Sequence, residues 1–182
     1  MILVKKKSIN QYLRALGDNK LATSIFSGRI VIICSFLIAL TLQTIPWPGM
    51  LDLLRPSWLL LVTCYWVLAL PHRVNVGSAF VLGLLWDLLL GSTLGIRGMM
   101  MSIVIYLIAL NFLVIRNMAL WQQAILIGLM SMLLDVLIFC GEYLIQDVDF
   151  NPVSLWSGLI NCILWPWMFL LMRRVRRHWH IR

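Results

Sequence analysis

Long apolar runs dominate the chain, and short segments rich in charge, Gly and Pro interrupt them. A membrane-spanning helix needs about 20 mostly apolar residues, and polar residues at its ends allow somewhat shorter runs. On this criterion the pattern predicts six transmembrane helices, at residues 29–46, 57–71, 76–91, 98–115, 118–145 and 154–172. The predicted fold class is therefore an all-α membrane protein.

Composition supports this prediction. The 182 residues are 62% hydrophobic and 12% charged, which is too apolar for one small water-soluble domain. The predicted organisation has three parts: a partly amphipathic cytoplasmic extension (1–28), a six-helix membrane domain (29–172) and a basic cytoplasmic tail (173–182). The connections between the predicted helices are too short for a second domain.

The distribution of Lys and Arg predicts the orientation, because cytoplasmic flanks retain basic residues. With both termini in the cytoplasm, only Arg55 and Arg97 of the 15 basic residues lie on the outer side. The net charge of +8 does not indicate nucleic-acid binding, because the basic residues lie where the positive-inside rule places them and no compact soluble module carries them. The arginines of the tail are expected to contact anionic lipid headgroups at the membrane surface: Arg173, Arg174, Arg176 and Arg177.

Three acids lie inside predicted spans: Asp87, Asp135 and Glu142. An isolated charge in a span costs at least about 2.5 to 3.5 kcal/mol, so each acid is expected to face protein or water and to have a partner. Asp87 continues a stripe of small residues, Ala79 and Gly83, at intervals of four, and this stripe predicts a helix-packing face. The acids of the third and fifth helices are therefore expected to form one internal polar cluster in the outer half of the membrane.

The segment GSTLG, residues 91–95, predicts a tight non-helical turn because Gly91, Gly95 and Gly98 make left-handed backbone conformations accessible. Arg97 is the nearest cation, and it is expected to pair with Asp87 across this turn. Two interpretations stay open: the pair holds two helices together, or it forms part of a site for a ligand or partner.

No catalytic constellation is evident. Aspartyl intramembrane proteases carry one acid in a G-x-G-D sequence, which neither Asp87 nor Asp135 matches. The three histidines fall at predicted cytoplasmic positions, away from Ser92, so a serine nucleophile would lack a base. The four cysteines form no C-x-x-C pair and have no His at metal spacing. The chain is expected to be non-enzymatic, with no metal and no cofactor.

Two functions fit these features. Protonatable acids beside an irregular backbone segment are typical of coupled carriers, so a small-molecule-binding or transport subunit is an alternative. A membrane scaffold whose helix faces bind other helices fits equally well. No internal repeat or substrate motif favours the transporter.

Four segments carry a resemblance to a known family: PHRVNVG (71–77), D-x-x-x-G-S-T-L-G (87–95), RNMALWQQA (116–124) and LWPWMFLLMRRVR (164–176). In these segments and their spacing the chain resembles the MreD family of bacterial rod shape-determining membrane proteins. The resemblance runs from about residue 29 to residue 177, and the first 28 residues extend beyond the usual start of the family.

The resemblance implies a non-enzymatic scaffold of the cell-elongation machinery in the bacterial inner membrane. It implies MreC, MreB, RodA and the class B penicillin-binding transpeptidase partner of RodA as partners in directing lateral peptidoglycan synthesis. It also implies a fold similar to the six-helix substrate-capture subunits of energy-coupling-factor transporters. That likeness keeps the ligand-binding alternative open, because fold does not establish function.

Overall fold

The computed structural model describes residues 28–45, 55–145 and 156–179. These ranges are helical, with no β-strand among them, and we number their helices α1 to α7. Their bounds are α1 Gly28–Thr44, α2 Trp58–Ala69, α3 Val76–Leu90, α4 Ile96–Leu110, α5 Phe112–Asn117, α6 Leu120–Tyr143 and α7 Trp156–His178. Most of the predicted N-terminal extension and the last three residues of the basic tail lie outside the described residues.

The predicted spans coincide with these helices to within a few residues, with two exceptions. The predicted helix at 98–115 is two helices, because Asn111 (φ −108°, ψ 19°) interrupts it. The Asn111 amide donates to the Leu107 carbonyl at 3.4 Å, a side-chain bond to the backbone of the kind that weakens helices. The last helix extends six residues beyond 172, so most of the basic tail is helical rather than a separate segment.

The number of membrane crossings stays a prediction. Among the described residues, α6 is the one helix long and apolar enough to cross a membrane by itself. Helices α1 to α4 are apolar but shorter. At 1.5 Å per residue the 12 residues of α2 span roughly 18 Å, against about 30 Å for the hydrocarbon core of a bilayer.

Helix α2 forms the centre of the described bundle. Its residues from Leu59 to Leu68 are all at most 4% exposed, and α2 contacts α4, α5, α6 and α7. Side chains of neighbouring helices satisfy the backbone donors at its N-terminus: Asn161 Oδ1 accepts from Ser57 N–H at 3.0 Å, and Gln43 Oε1 accepts from Leu59 N–H at 3.4 Å. These bonds fix α2 against α7 and α1.

The other helices pack in two close pairs, α3 with α4 and α6 with α7. In the first pair a Cβ added to Gly83 would lie 2.5 Å from Gly98 Cα and 2.9 Å from the Arg97 carbonyl oxygen, so only glycine permits this approach. Ala79, on the same face, is fully buried. The stripe predicted from the sequence is thus the surface on which α3 contacts α4.

Candidate functional site

Four polar side chains and one backbone N–H near the α3–α4 turn form one group, which we call the Asp87 cluster: the side chains of Asp87, Ser92, Arg97 and Glu142, and the N–H of Gly95. Helix α3 ends at Leu90, and Gly91 and Gly95 adopt left-handed conformations with φ of 64° and 97°. Residues with a Cβ pay roughly 1 to 2 kcal/mol for that conformation, so the two glycines let the chain turn back over the end of α3 within five residues. The turn brings the start of α4 next to Asp87.

Asp87 is fully buried, and both of its carboxylate oxygens accept hydrogen bonds from the chain. Oδ2 accepts from the Gly95 N–H at 2.8 Å. Oδ1 accepts from the Ser92 hydroxyl at 3.3 Å and from Arg97 Nη1 at 3.4 Å. The carboxylate is therefore tied to the turn by a backbone donor, a hydroxyl and a cation, which together offset the cost of burying its charge.

Arg97 connects Asp87 to a third helix. Its Nη2 donates to Glu142 Oε1 of α6 at 2.8 Å, and its Nη1 also donates to the Ser92 hydroxyl. Its guanidinium lies over the Trp86 ring, 5.5 Å from the centroid, within the range of a cation–π contact. The Arg97 side chain is 16% exposed and that of Glu142 is 24% exposed. One cation thus joins two carboxylates of α3 and α6 at one end of the bundle.

Asp135 does not belong to this cluster, contrary to the single cluster expected from the sequence. Its Oδ2 accepts instead from the Ser157 hydroxyl of α7 at 2.6 Å. The difference arises because Asp135 lies two turns before Glu142 on α6, at a level where α6 packs on α7 rather than on the α3–α4 turn.

A second set of polar contacts lies between α6, α7 and the start of α2, and the sequence did not single out its centre. Asn161 is fully buried, donates to the Ser131 hydroxyl at 2.5 Å and accepts from Ser57 N–H. The sequence contains a pattern that could have identified this set. On one face of α7 the small and polar residues Ser157, Gly158 and Asn161 follow one another, as small and polar residues do on α3. Gly128 of α6 meets that face, since a Cβ there would lie 2.9 Å from the Gly158 carbonyl oxygen.

The predicted membrane-surface arginines lie on the last turns of α7, where Arg173, Arg174 and Arg177 are exposed and Arg176 is half-buried. Arg173 and Arg176 line a pocket with Arg116, whereas Arg174 and Arg177 do not. This pocket contains Gln123, near the start of α6, and the Asp87 cluster contains Glu142, near its end. Nineteen residues of helix separate them, which is roughly 28 Å, close to the thickness of the hydrocarbon core.

The arrangement around Asp87 is an electrostatic clasp made of the chain's own groups. Its one side-chain hydroxyl, that of Ser92, donates to the Asp87 carboxylate and accepts from Arg97 Nη1, so it is engaged within the clasp. Its physical effect is to hold the turn 91–95 and the α3–α4 pair against α6. The exposed Leu94, 66% accessible, lies at the outside of this fixed turn.

Comparisons with known proteins agree with the sequence resemblance. The family model described as rod shape-determining protein MreD matches residues 24–175. The rod shape-determining protein MreD of Haemophilus influenzae is 44% identical over 146 residues, which cover 80% of this chain and 90% of that protein. No solved structure matches the chain, so the likeness to energy-coupling-factor subunits stays a prediction. Because the family model and this relative both extend over most of its length, the chain belongs to the MreD family of rod shape-determining proteins.

Proposed function

We propose that the protein is a non-enzymatic scaffold of the bacterial cell-elongation machinery, embedded in the inner membrane by six helices with both termini in the cytoplasm. The observation that carries the proposal is its membership of the rod shape-determining MreD family over residues 24–175. The partition of basic residues supports the orientation. As a scaffold, the protein maintains rod shape by organising lateral peptidoglycan synthesis.

The proposed partners are MreC, MreB, RodA and the class B transpeptidase partner of RodA, as the family resemblance implies. The Asp87 cluster contributes by keeping one apolar contact point in a fixed position. Leu94 is 66% exposed on a turn whose backbone is held by Asp87, and a rigid exposed apolar side chain binds a partner at low entropic cost. We place a partner contact at this turn, on the outer side.

The transport-subunit alternative has no support from the comparisons, and the scaffold is the function that we propose. Both carboxylate oxygens of Asp87 are engaged by the chain's own donors. A carboxylate with both oxygens bonded within the protein is typical of an acid that holds helices together, and not of an acid that binds a substrate.

The proposal is tested in a rod-shaped bacterium whose own family member is placed under a repressible promoter. Depletion is expected to convert rods to spheres, and expression of this chain is expected to restore rods, both scored by microscopy. Uptake of labelled vitamins is measured in the same cells. Cells that stay rod-shaped on depletion but lose the uptake of one nutrient would overturn the scaffold proposal.

The contact at the turn is tested by a photo-crosslinking amino acid in place of Leu94. We expect crosslinks to one of the named partners, identified by mass spectrometry. The matched control is Leu113, which is 62% exposed but lies in α5, just beyond the end of α4 that is farthest from the turn. Equal crosslinking of the same partner from both positions would contradict a specific contact at the turn.

A further inference from the structure

A pocket of about 240 Å³ lies at the end of the bundle opposite the Asp87 cluster. It is formed by the last turns of α2, by α5, by the start of α6 and by the end of α7. Three arginines line it, Arg116 from α5 and Arg173 and Arg176 from α7, together with the polar residues Tyr65 and Gln123. On the predicted topology it opens at the cytoplasmic face of the membrane.

The charge of the pocket is unbalanced. No acid lines it, and none of its three guanidinium groups has a hydrogen bond or ion pair within the described part of the chain. Three like charges around one small volume repel one another, and the low-dielectric bundle beside them screens this repulsion less than bulk water does. An anion between the arginines would remove the repulsion.

Gln123, which lines the pocket, carries a buried amide oxygen without a partner among the described residues. Gln123 is only 3% exposed, and its Nε2 donates to the carbonyls of Ile115 at 2.9 Å and Met118 at 3.2 Å. These two bonds fix the amide orientation, which leaves the buried Oε1 without a partner among the described residues. Because buried polar atoms are normally satisfied, this oxygen indicates a missing donor.

Tyr65 and Phe169 form the apolar side of the pocket, with ring centroids 5.6 Å apart in an edge-to-face contact. Tyr65 is 3% exposed, so this side of the pocket is apolar and closed, whereas the arginine side is open to solvent. Arginine presents a planar fork of donors that matches the oxygens of a phosphate and forms charge-assisted bonds with them.

We propose that this arginine pocket binds a phosphate group that carries a hydroxylated substituent. The three arginines hold the phosphate oxygens, and Gln123 Oε1 accepts a hydrogen bond from the hydroxyl. The phosphate comes either from the headgroup of an anionic lipid of the inner leaflet, such as phosphatidylglycerol, or from a soluble phosphate in the cytoplasm. Both sources have the same recognition chemistry, and the experiment separates them.

The full chain, purified in a neutral detergent, is titrated with short-chain phosphatidylglycerol, with short-chain phosphatidylcholine and with inorganic phosphate. Binding is followed by the change in Trp fluorescence and by native mass spectrometry. Phosphatidylglycerol binding is expected, weakening as NaCl is raised. Arg116→Gln, Arg173→Gln and Arg176→Gln are each expected to weaken it by roughly ten- to hundredfold, the loss of one charge-assisted hydrogen bond.

Arg174→Gln and Arg177→Gln are the matched controls, since they remove the same charge from the same turns of α7 without lining the pocket. They are expected to change the affinity by less than ~3-fold, as exposed charges do. Gln123→Leu is expected to weaken phosphatidylglycerol binding but not the binding of inorganic phosphate, because only the lipid carries the hydroxyl that donates to Oε1. Thermal melting of each variant separates loss of binding from loss of folding.

Each outcome decides the proposal. Binding of phosphatidylglycerol alone, with the expected dependence on the pocket arginines, assigns the site to a lipid headgroup. Inorganic phosphate binding with the same dependence assigns it to a soluble phosphate. Absence of binding by both, equal binding of phosphatidylcholine, or equal weakening by the pocket and control variants overturns it.

Discussion

Removal of the Arg97 charge provides the strongest test of the Asp87 cluster. In Arg97→Gln, Asp87 keeps its bonds from Gly95 and Ser92 but loses its cation while fully buried. Breaking a poorly solvated ion pair in this way costs about 3 to 5 kcal/mol. Asp87→Asn is expected to cost less, about 1.5 to 3 kcal/mol, because Arg97 keeps Glu142 at 2.8 Å. Glu142→Gln is expected to cost least, since that side chain is 24% exposed.

The double variant Asp87→Asn, Arg97→Gln contains neither an unpaired buried carboxylate nor its cation. Its free energy of unfolding is therefore expected to fall by at least about 1 kcal/mol less than the sum of the single losses. The measurement is SDS-induced unfolding of the purified protein in detergent micelles, followed by Trp fluorescence. Cell-shape complementation by the same variants is expected to follow the same order.

Asp135 provides the matched control. It is a carboxylate on the same helix as Glu142, about 10 Å along the axis, and it bonds to Ser157 rather than to Arg97. The effects of Asp135→Asn and Arg97→Gln are expected to add to within ~0.5 kcal/mol. If instead the Asp87 and Arg97 effects were additive, or if Glu142→Gln were the most damaging change, the cluster would not be coupled as its geometry indicates.

Three further predictions concern packing and topology. Gly83→Ala is expected to destabilise the protein by about 1 to 3 kcal/mol in the same unfolding assay, because the new Cβ meets the α4 backbone. The control is Gly77→Ala, at an exposed position of the same helix, and equal effects would contradict the close α3–α4 contact. Asn161→Ala is expected to lower the free energy of unfolding by about 1 to 3 kcal/mol, because Ser57 N–H loses its acceptor. Ser102→Ala, which removes a hydrogen bond within α4, is expected to lower it by less. The opposite order would show that Asn161 does not hold α2. Cysteine labelling is expected to place positions near Arg73 and Arg116 in the cytoplasm and positions near Asp52 and Asp149 outside, although Asp52 and Asp149 lie outside the described residues; outer labelling near Arg116 would contradict six spans.

The positions of the helices were predictable from the sequence because apolar runs end at recognisable breaks. The Asn75–Ser78 capping box begins α3, and the glycines of the turn end it. The pairing of Asp87 with Arg97 was predictable for a similar reason, since ten residues and one tight turn separate them. Local chemistry was sufficient in both cases.

The polar stripe on α6 predicted that Glu142 joins the Asp87 cluster, but it did not show that Asp135 lies apart from it. Glu142 reaches Arg97 only because α6 packs against α4, where Ile96 and Met100 fill the space beside Gly141. The central position of α2 could not be predicted from the sequence, for a different reason. A helix that is apolar on all sides suits lipid and protein surroundings equally, so composition does not show which it has.

That central position has a consequence for the assembly of the protein during synthesis. Helix α2 is made early, yet the side chains that surround it and the Asn161 oxygen at its N-terminus belong in part to α6 and α7, which are made last. Until residue 161 has been made, α2 lacks the neighbours that α7 supplies, including the acceptor for the Ser57 N–H. Chains that end before α7 are therefore expected to be less stable than the full chain, and the last helix completes the packing of a helix made much earlier.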